Sequence, residues 1–348
     1  MANRFENTEK VYIGIDVHKR TYAVSCVVAN EVVKRATMPA EPMGLVNWVR
    51  KFFPEASIFS AYEAGFSGFG LHRTLIQQGI NNIVVNPASI EVAARDKVKT
   101  DRRDATKVAT QLAAARLKGI RIPSDDEELR RLLTRTREQL VQAKTRVGHQ
   151  IKSKLFQFGL IGADDGRIMS EAFLSSYLTL KHPEELKFSL ESLVRVWRFL
   201  SDELKQYRRE LSRQAKADVK LEVVYRSVPG IGPIGARTLA NELGDLSHFK
   251  NQRQAYSFTG LTPGEWSSGD KRRLGHISRQ GSARLRWILT EAAWVAIRRD
   301  TILKRDYDRI AAAAGGKKAI VAIARKLIGR IRACFRKTES YQLGYETT

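Results

Sequence analysis

Four carboxylates and a pair of serines are the residues of this 348-residue chain best suited to chemistry. Asp16 falls in YIGIDVHK, Glu63 in FSAYEAG, and Asp101 and Asp104 stand three residues apart in KTDRRDA. Carboxylates brought together repel one another unless a divalent cation neutralises them, and Mg²⁺ suits an all-oxygen set and phosphate chemistry. Two such ions could polarise a phosphodiester and stabilise both its attacking and leaving oxygens. Taken singly, each acid also has a plainer reading as a helix cap, a first-turn charge, a turn former or a solvated strand end. The serines, Ser267 and Ser268, lie in LTPGEWSSGDKRRLGHISRQGSARLR, closely followed by Lys271, Arg272, Arg273 and Arg279. Cations there would screen a phosphodiester and stabilise the charge that builds when a hydroxyl attacks it. A serine hydroxyl is a weak nucleophile without activation, and the nearest base, His276, has no acidic partner beside it in sequence. On the residues alone, nucleophile and phosphate contact both remain open.

The elements that must position these groups follow from periodicity. Residues 11–38 alternate and are rich in Val, Ile and Tyr, which predicts three strands joined by short turns. MGLVNWVRKFF reads as a helix, ASIFSAYEA as a strand, GFGLHRTLIQQG as a helix and NNIVVNP as a strand. DRRDATKVATQLAAARLKG reads as a helix closing on Gly119. The order β-β-β-α-β-α-β-α is a meander passing into parallel crossovers, and it can set the first strand beside the fourth. Asp16 would then neighbour Glu63, with Asp101 and Asp104 arriving from the flank.

Residues 126–158 contain no proline and repeat apolar residues at three- and four-residue spacing, which predicts one long helix. A break at GLIGADDG precedes a second charged amphipathic stretch over 186–218, so an antiparallel coiled-coil arm is expected. From residue 219 onward compact helices are expected, ending in the basic amphipathic KKAIVAIARKLIGRIRACFR, packed with its Lys and Arg outward. The domains are therefore 1–122, 123–218 and 219–348, an α/β domain followed by two mostly helical ones.

A hydrophobic fraction of 43% supports buried cores, and the formal charge of +23 calls for a polyanionic partner, nucleic acid before membrane. No apolar run is long enough to span a bilayer, and the polar MANRFENTEK lacks a signal-peptide core, so a cytoplasmic protein is expected. Cys26 and Cys334 read as buried free thiols, and six scattered histidines argue against zinc. In VPGIGPIGA, Gly230 and Gly232 resemble a helix-hairpin-helix turn, whose backbone N–H groups can approach a phosphate. The alternative there is a tight turn between packed helices.

In this order, YIGIDVHK, YEAG, KVKTDRRDA, VPGIGPIGARTLANELGD and GLTPGEWSSGDKRRLGHISRQGSARLRWILTEAAW resemble the insertion-sequence "one-ten" family of transposases. These are relatives of the Piv invertases and are also called bridge-RNA-guided recombinases. The resemblance implies a RuvC-like, RNase H-type N-terminal domain whose DEDD tetrad is Asp16, Glu63, Asp101 and Asp104, binding Mg²⁺. It implies a coiled-coil arm for assembly, and a C-terminal transposase domain whose serine forms a transient phosphoserine with DNA. By motif position that serine is Ser267, with Ser268 as second choice. The basic residues Lys271, Arg272, Arg273 and Arg279, and the turn at Gly230 and Gly232, would contact nucleic acid. Donor and target DNA, a noncoding bridge RNA and further copies of the chain, in a dimer or tetramer, are the partners implied. One copy's carboxylates would face another's serine. A bacterial or archaeal, nucleoid-associated setting follows. The competing reading is a RuvC-like, Mg²⁺-dependent structure-specific nuclease in which the carboxylates activate water.

Overall fold

The computed structural model describes residues 9–91, 100–162, 165–265, 274–278 and 280–344. The chain divides into two units, Met1–Pro123 and Ser124–Thr348.

In the first unit the alternating segments become β1 (Lys10–Val17), β2 (Thr21–Val28) and β3 (Glu31–Pro39), an antiparallel meander. The turn between β2 and β3 is two residues, Ala29 and Asn30, both left-handed (φ 46° and 67°), as a tight hairpin requires. Helix α1 (Pro42–Phe52) leads to β4 (Ser57–Glu63), and α2 (Gly70–Gln77) to β5 (Asn81–Val85). β4 joins β1 in parallel and β5 joins β4 in parallel, so the sheet runs β3-β2-β1-β4-β5. One face carries Ile13, Ile15, Tyr62 and Val84, buried under Leu45, Val49 and Leu75 of α1 and α2. The opposite face is covered by α3 (Asp101–Ala113), whose Val108 packs with Ala61 and Val85.

α3 ends at Ala113, six residues short of the Gly119 that the helical pattern suggested. Ala115 turns left-handed (φ 53°), and the chain returns to the sheet edge, where the Ile120 N–H donates to the Val84 carbonyl at 2.8 Å. A backbone partner on β5 outcompetes another turn of helix.

The second unit opens with α4 (Asp125–Gln157), started by a capping box between Ser124 and Glu127. After α5 (Glu171–Leu178), α6 (Glu184–Ala217) returns alongside α4. Ile151 and Leu155 of α4 pack with Leu190 and Val194 of α6, while Arg130 near the start of α4 reaches Asp218 just past the end of α6. The two long helices are therefore antiparallel. Then come α7 (Val219–Ser227), α8 (Pro233–Leu243) and α9 (Gln252–Phe258), followed by α10 (Ala283–Arg299), α11 (Thr301–Ala314) and α12 (Gly316–Lys337) around a shared apolar core. Between α9 and α10 lie two short antiparallel strands, β6 (Pro263–Glu265) and β7 (Leu274–Ile277), where the sequence suggested only a loop. At three and four residues they are too short to show a period.

Buried charge ties this unit together. Glu242 of α8, 2% exposed, accepts two 2.8 Å hydrogen bonds from Arg135 of α4 and pairs with Arg284 of α10 at 3.3 Å. α12 turns its Ile and Leu face inward, but Arg330 does not follow the outward pattern expected of its Lys and Arg. It is buried and bonds Asp300 and the Tyr341 hydroxyl, each at 2.7 Å. Cys26 is buried, and burial pushes its thiol up to about 12, whereas Cys334 is only half-buried; neither forms a disulfide. No helix among the described residues is long and apolar enough to cross a membrane.

Candidate functional site

Gly14 decides where the acids meet. It sits mid-strand on β1 with its α-carbon against α3, and a Cβ there would fall 2.0 Å from the Ala105 carbonyl oxygen and 2.5 Å from the Ala109 nitrogen. Only glycine lets α3 lie this close to the strand. Asp16 follows two residues on, so alternation puts it on the same face. Thr100 caps α3 by accepting from the Arg103 N–H, and Asp101 and Asp104 occupy its first turn, where the helix dipole favours negative charge. Docking α3 on Gly14 therefore brings its acidic end to the C-terminal end of β1.

The group that results is Asp16, His18 and Asp101. His18 Nε2 lies 3.1 Å from an Asp16 carboxylate oxygen and 3.3 Å from one of Asp101. One ligand atom from each of the three falls within 4.8 Å of the others. Asp104, one turn along, pairs with Lys107 at 3.7 Å. Glu63 stands one step past the last β1–β4 pair, Ile15 with Tyr62, so register puts it beside Asp16 on the α3 face. Asp104 and Glu63 flank the three-residue group and are not part of it. Burial raises the Asp16 carboxyl above its ordinary value; the charges of Asp101 and Asp104 push the same way, and His18 opposes them.

His18 is the residue that sequence reasoning missed. Its signal was present, since Asp16 and His18 are two apart at a strand end and so point to one side. The donors suit a divalent cation: hard carboxylate oxygens for Mg²⁺-type ions, with one imidazole nitrogen that softer metals also accept. A cation there would offset the burial and the neighbouring negative charges that raise the Asp16 carboxyl.

Ser267 and Ser268, with Lys271, Arg272, Arg273 and Arg279, lie outside the described residues. β6 and β7 bracket residues 266–273, with Glu265 paired to Leu274. Gly230 is left-handed (φ 85°), and a Cβ on it would fall 2.8 Å from the Ala292 Cα of α10, so this glycine serves helix packing. Gly232 is the N-cap of α8, exposed, with open space where a Cβ would point.

Residues 13–159 match the DEDD transposase family of the IS110 type, and residues 224–308 match the transposase IS116/IS110/IS902 family. A five-stranded sheet with clustered acids, followed by a helical transposase region, defines an enzyme that acts on DNA, a transposase whose DEDD-type domain implies a divalent metal. Over these two regions the chain is similar to transposases of the IS110/IS116 family. Its relatives include the transposase for insertion sequence element IS1533 of Leptospira borgpetersenii, 28% identical, covering 82% of this chain and 85% of that one. The transposase for IS1111A of Coxiella burnetii is 27% identical, covering 78% and 76%. The transposase for IS1328 of Yersinia enterocolitica is 23% identical, covering 82% and 84%.

Proposed function

We propose that the protein is a recombinase that cleaves and rejoins DNA strands with Mg²⁺ and a serine nucleophile, guided by a structured noncoding bridge RNA. The observation that carries this reading is the meeting of Asp16, His18 and Asp101 at the junction of β1 and α3, flanked by Asp104 and Glu63. The sheet order β3-β2-β1-β4-β5, with its antiparallel meander and parallel crossovers, supports a RuvC-like domain over roughly residues 1–122. The antiparallel α4–α6 pair supports a coiled-coil arm over 123–218, and 219–348 form the transposase domain.

In this reading Asp16, Glu63, Asp101 and Asp104 hold the metal, and His18 orients Asp16 and Asp101 by bonding both. When bound, the metal would polarise the scissile phosphate and screen the carboxylates from DNA. Ser267 Oγ attacks phosphorus, forming the phosphoserine bond as the bond to the departing sugar oxygen breaks. A strand hydroxyl then reverses the step. Lys271, Arg272, Arg273 and Arg279 screen the phosphates, and the helix start at Gly232 offers backbone N–H groups to a nucleic-acid backbone. A composite site, carboxylates from one copy facing the serine of another, requires at least a dimer.

The decisive experiment incubates the purified protein, its co-purified RNA and donor and target DNA with Mg²⁺, then denatures and looks for protein covalently joined to DNA. The wild type should give an adduct that Ser267→Ala and Asp16→Ala both abolish. An adduct lost in Ser268→Ala but kept in Ser267→Ala would move the nucleophile by one residue. Cleavage without any adduct would replace this reading with the water-activating nuclease. Sequencing the bound RNA tests the guide: a discrete structured species supports it, and random cellular RNA refutes it.

A further inference from the structure

A cavity of about 620 Å³ opens where the C-terminal half of α6 meets α7 and the start of α8. α6 contributes Arg208, Arg209, Arg213 and Lys216, whose spacing keeps them on one side of the helix, and α7 contributes Arg226. Arg213 is engaged with Glu210 through hydrogen bonds of 2.6 and 2.9 Å. Arg208, Arg209 and Lys216 make no hydrogen bond or ion pair with the described residues. The one carboxylate in the lining, Glu222, is buried and pairs with Arg237 at 3.2 Å. Burial pushes its carboxyl above the ordinary value, against the charges of Arg237 and Arg226.

Two further features favour an anion here. Ile234, in the first turn of α8, lines the cavity, and the cap residue Gly232 supplies no side chain to the free N–H groups of that turn. Arg208 also faces Arg137 of α4, whose guanidinium is held below its ordinary value by burial and then by the Arg208 charge. The Arg137 Nε is buried without a hydrogen-bond partner. Arg208, Arg209 and Lys216 thus bring like charge to the cavity with no carboxylate paired to any of them among the described residues.

We infer that this corner of α6, α7 and α8 is a groove for the sugar–phosphate backbone of a nucleic acid, built from residues other than those of the acidic cluster and the serine loop. Length argues for a polymer over a single small anion. From Arg208 to Lys216 the helix rises about 12 Å, and one strand presents a phosphate about every 3.4 Å of axis, so three or four phosphates can lie along it. The inference rests on the chain being an enzyme of nucleic acid; it needs neither the metal nor the serine.

The test measures binding of the full chain, without divalent metal, to duplex DNA and to a folded RNA hairpin over a range of salt. Arg208→Gln/Arg209→Gln/Lys216→Gln should flatten the slope of log affinity against log salt by about 0.9 per lost contact on duplex DNA, about 2.7 in all. Flattening on RNA alone would make RNA the occupant, and on DNA alone, DNA. Lys10→Gln/Lys51→Gln/Lys118→Gln removes equal charge from exposed sites in the first unit and should leave the slope unchanged. Arg208→Lys/Arg209→Lys should keep it as well. An unchanged slope on both probes in the triple variant overturns the inference, as does an equal fall in the control. Should the triple variant melt before binding can be read, Arg209→Gln alone decides by a slope loss of about 0.9.

Discussion

One added methyl group at Gly14 should take the acidic cluster apart. In Gly14→Ala the new Cβ would lie 2.0 Å from the Ala105 carbonyl oxygen, where ordinary contact begins at 3.4 Å, so α3 must retreat by about 1.4 Å. Asp101 and Asp104 travel with it, while Asp16, on β1, and His18, just past its end, stay behind. The 3.3 Å contact from His18 to Asp101 would then open beyond ion-pair range. Overpacking of this kind costs about 1–3 kcal/mol, or roughly 4 °C of melting temperature per kcal/mol in a unit this size. Divalent-metal affinity should fall about tenfold or more, and strand transfer by about a hundredfold, the usual effect of an ångström of misplacement. Calorimetric titration with Mg²⁺ and Mn²⁺, beside thermal melts, reads both quantities. Ala105→Gly should not rescue the variant, because the colliding atoms are backbone. Wild-type metal affinity and melting in Gly14→Ala would refute the account of how α3 delivers its acids.

Two predictions concern the helical unit. Glu242→Ala leaves Arg135 and Arg284 without their shared buried carboxylate and should cost about 3–5 kcal/mol in denaturant melts, with little change at the acidic cluster. Asp300 is the second: burial raises its carboxyl, but hydrogen bonds from the Leu303 N–H and Tyr341 and the Arg330 charge outweigh this and hold it below its ordinary value. The folded state thus favours ionised Asp300, so its stabilisation is complete above the ordinary carboxylate value near 4 and disappears as pH falls through the lowered one. Asp300→Asn should flatten the acid limb of the stability–pH curve, measured by melts between about pH 2 and 6.

Much of the first unit was legible because its strands are long and strongly patterned. Val11 to Val28 alternate clearly enough to reveal two strands, and the crossover logic put β1 beside β4, as the parallel pairing of Ile15 with Tyr62 bears out. What stayed hidden depended on contacts between distant residues. The end of α3 at Ala113 is set by the edge of β5, and no local propensity for Arg116–Gly119 announces it. β6 and β7 are shorter than any period they could display. Arg330 reads as a surface charge on a basic helix until Asp300 and Tyr341 are seen around it. His18 differs, since its spacing from Asp16 was visible and its chemistry was passed over.

The boundary at Pro123 has a consequence in time. The five strands of the first sheet, α3 and Asp16, Glu63, Asp101 and Asp104 precede it, so everything that sheet needs has been translated before α4 begins. Domains generally fold as units during synthesis, the N-terminal one first. The acidic cluster can therefore assemble on a chain still tethered to the ribosome, while residues 266–273 have yet to be made. In the proposed reading, the metal site is therefore built before the attacking serine has been made, and a released fragment ending near residue 123 would bind the ion yet be chemically silent.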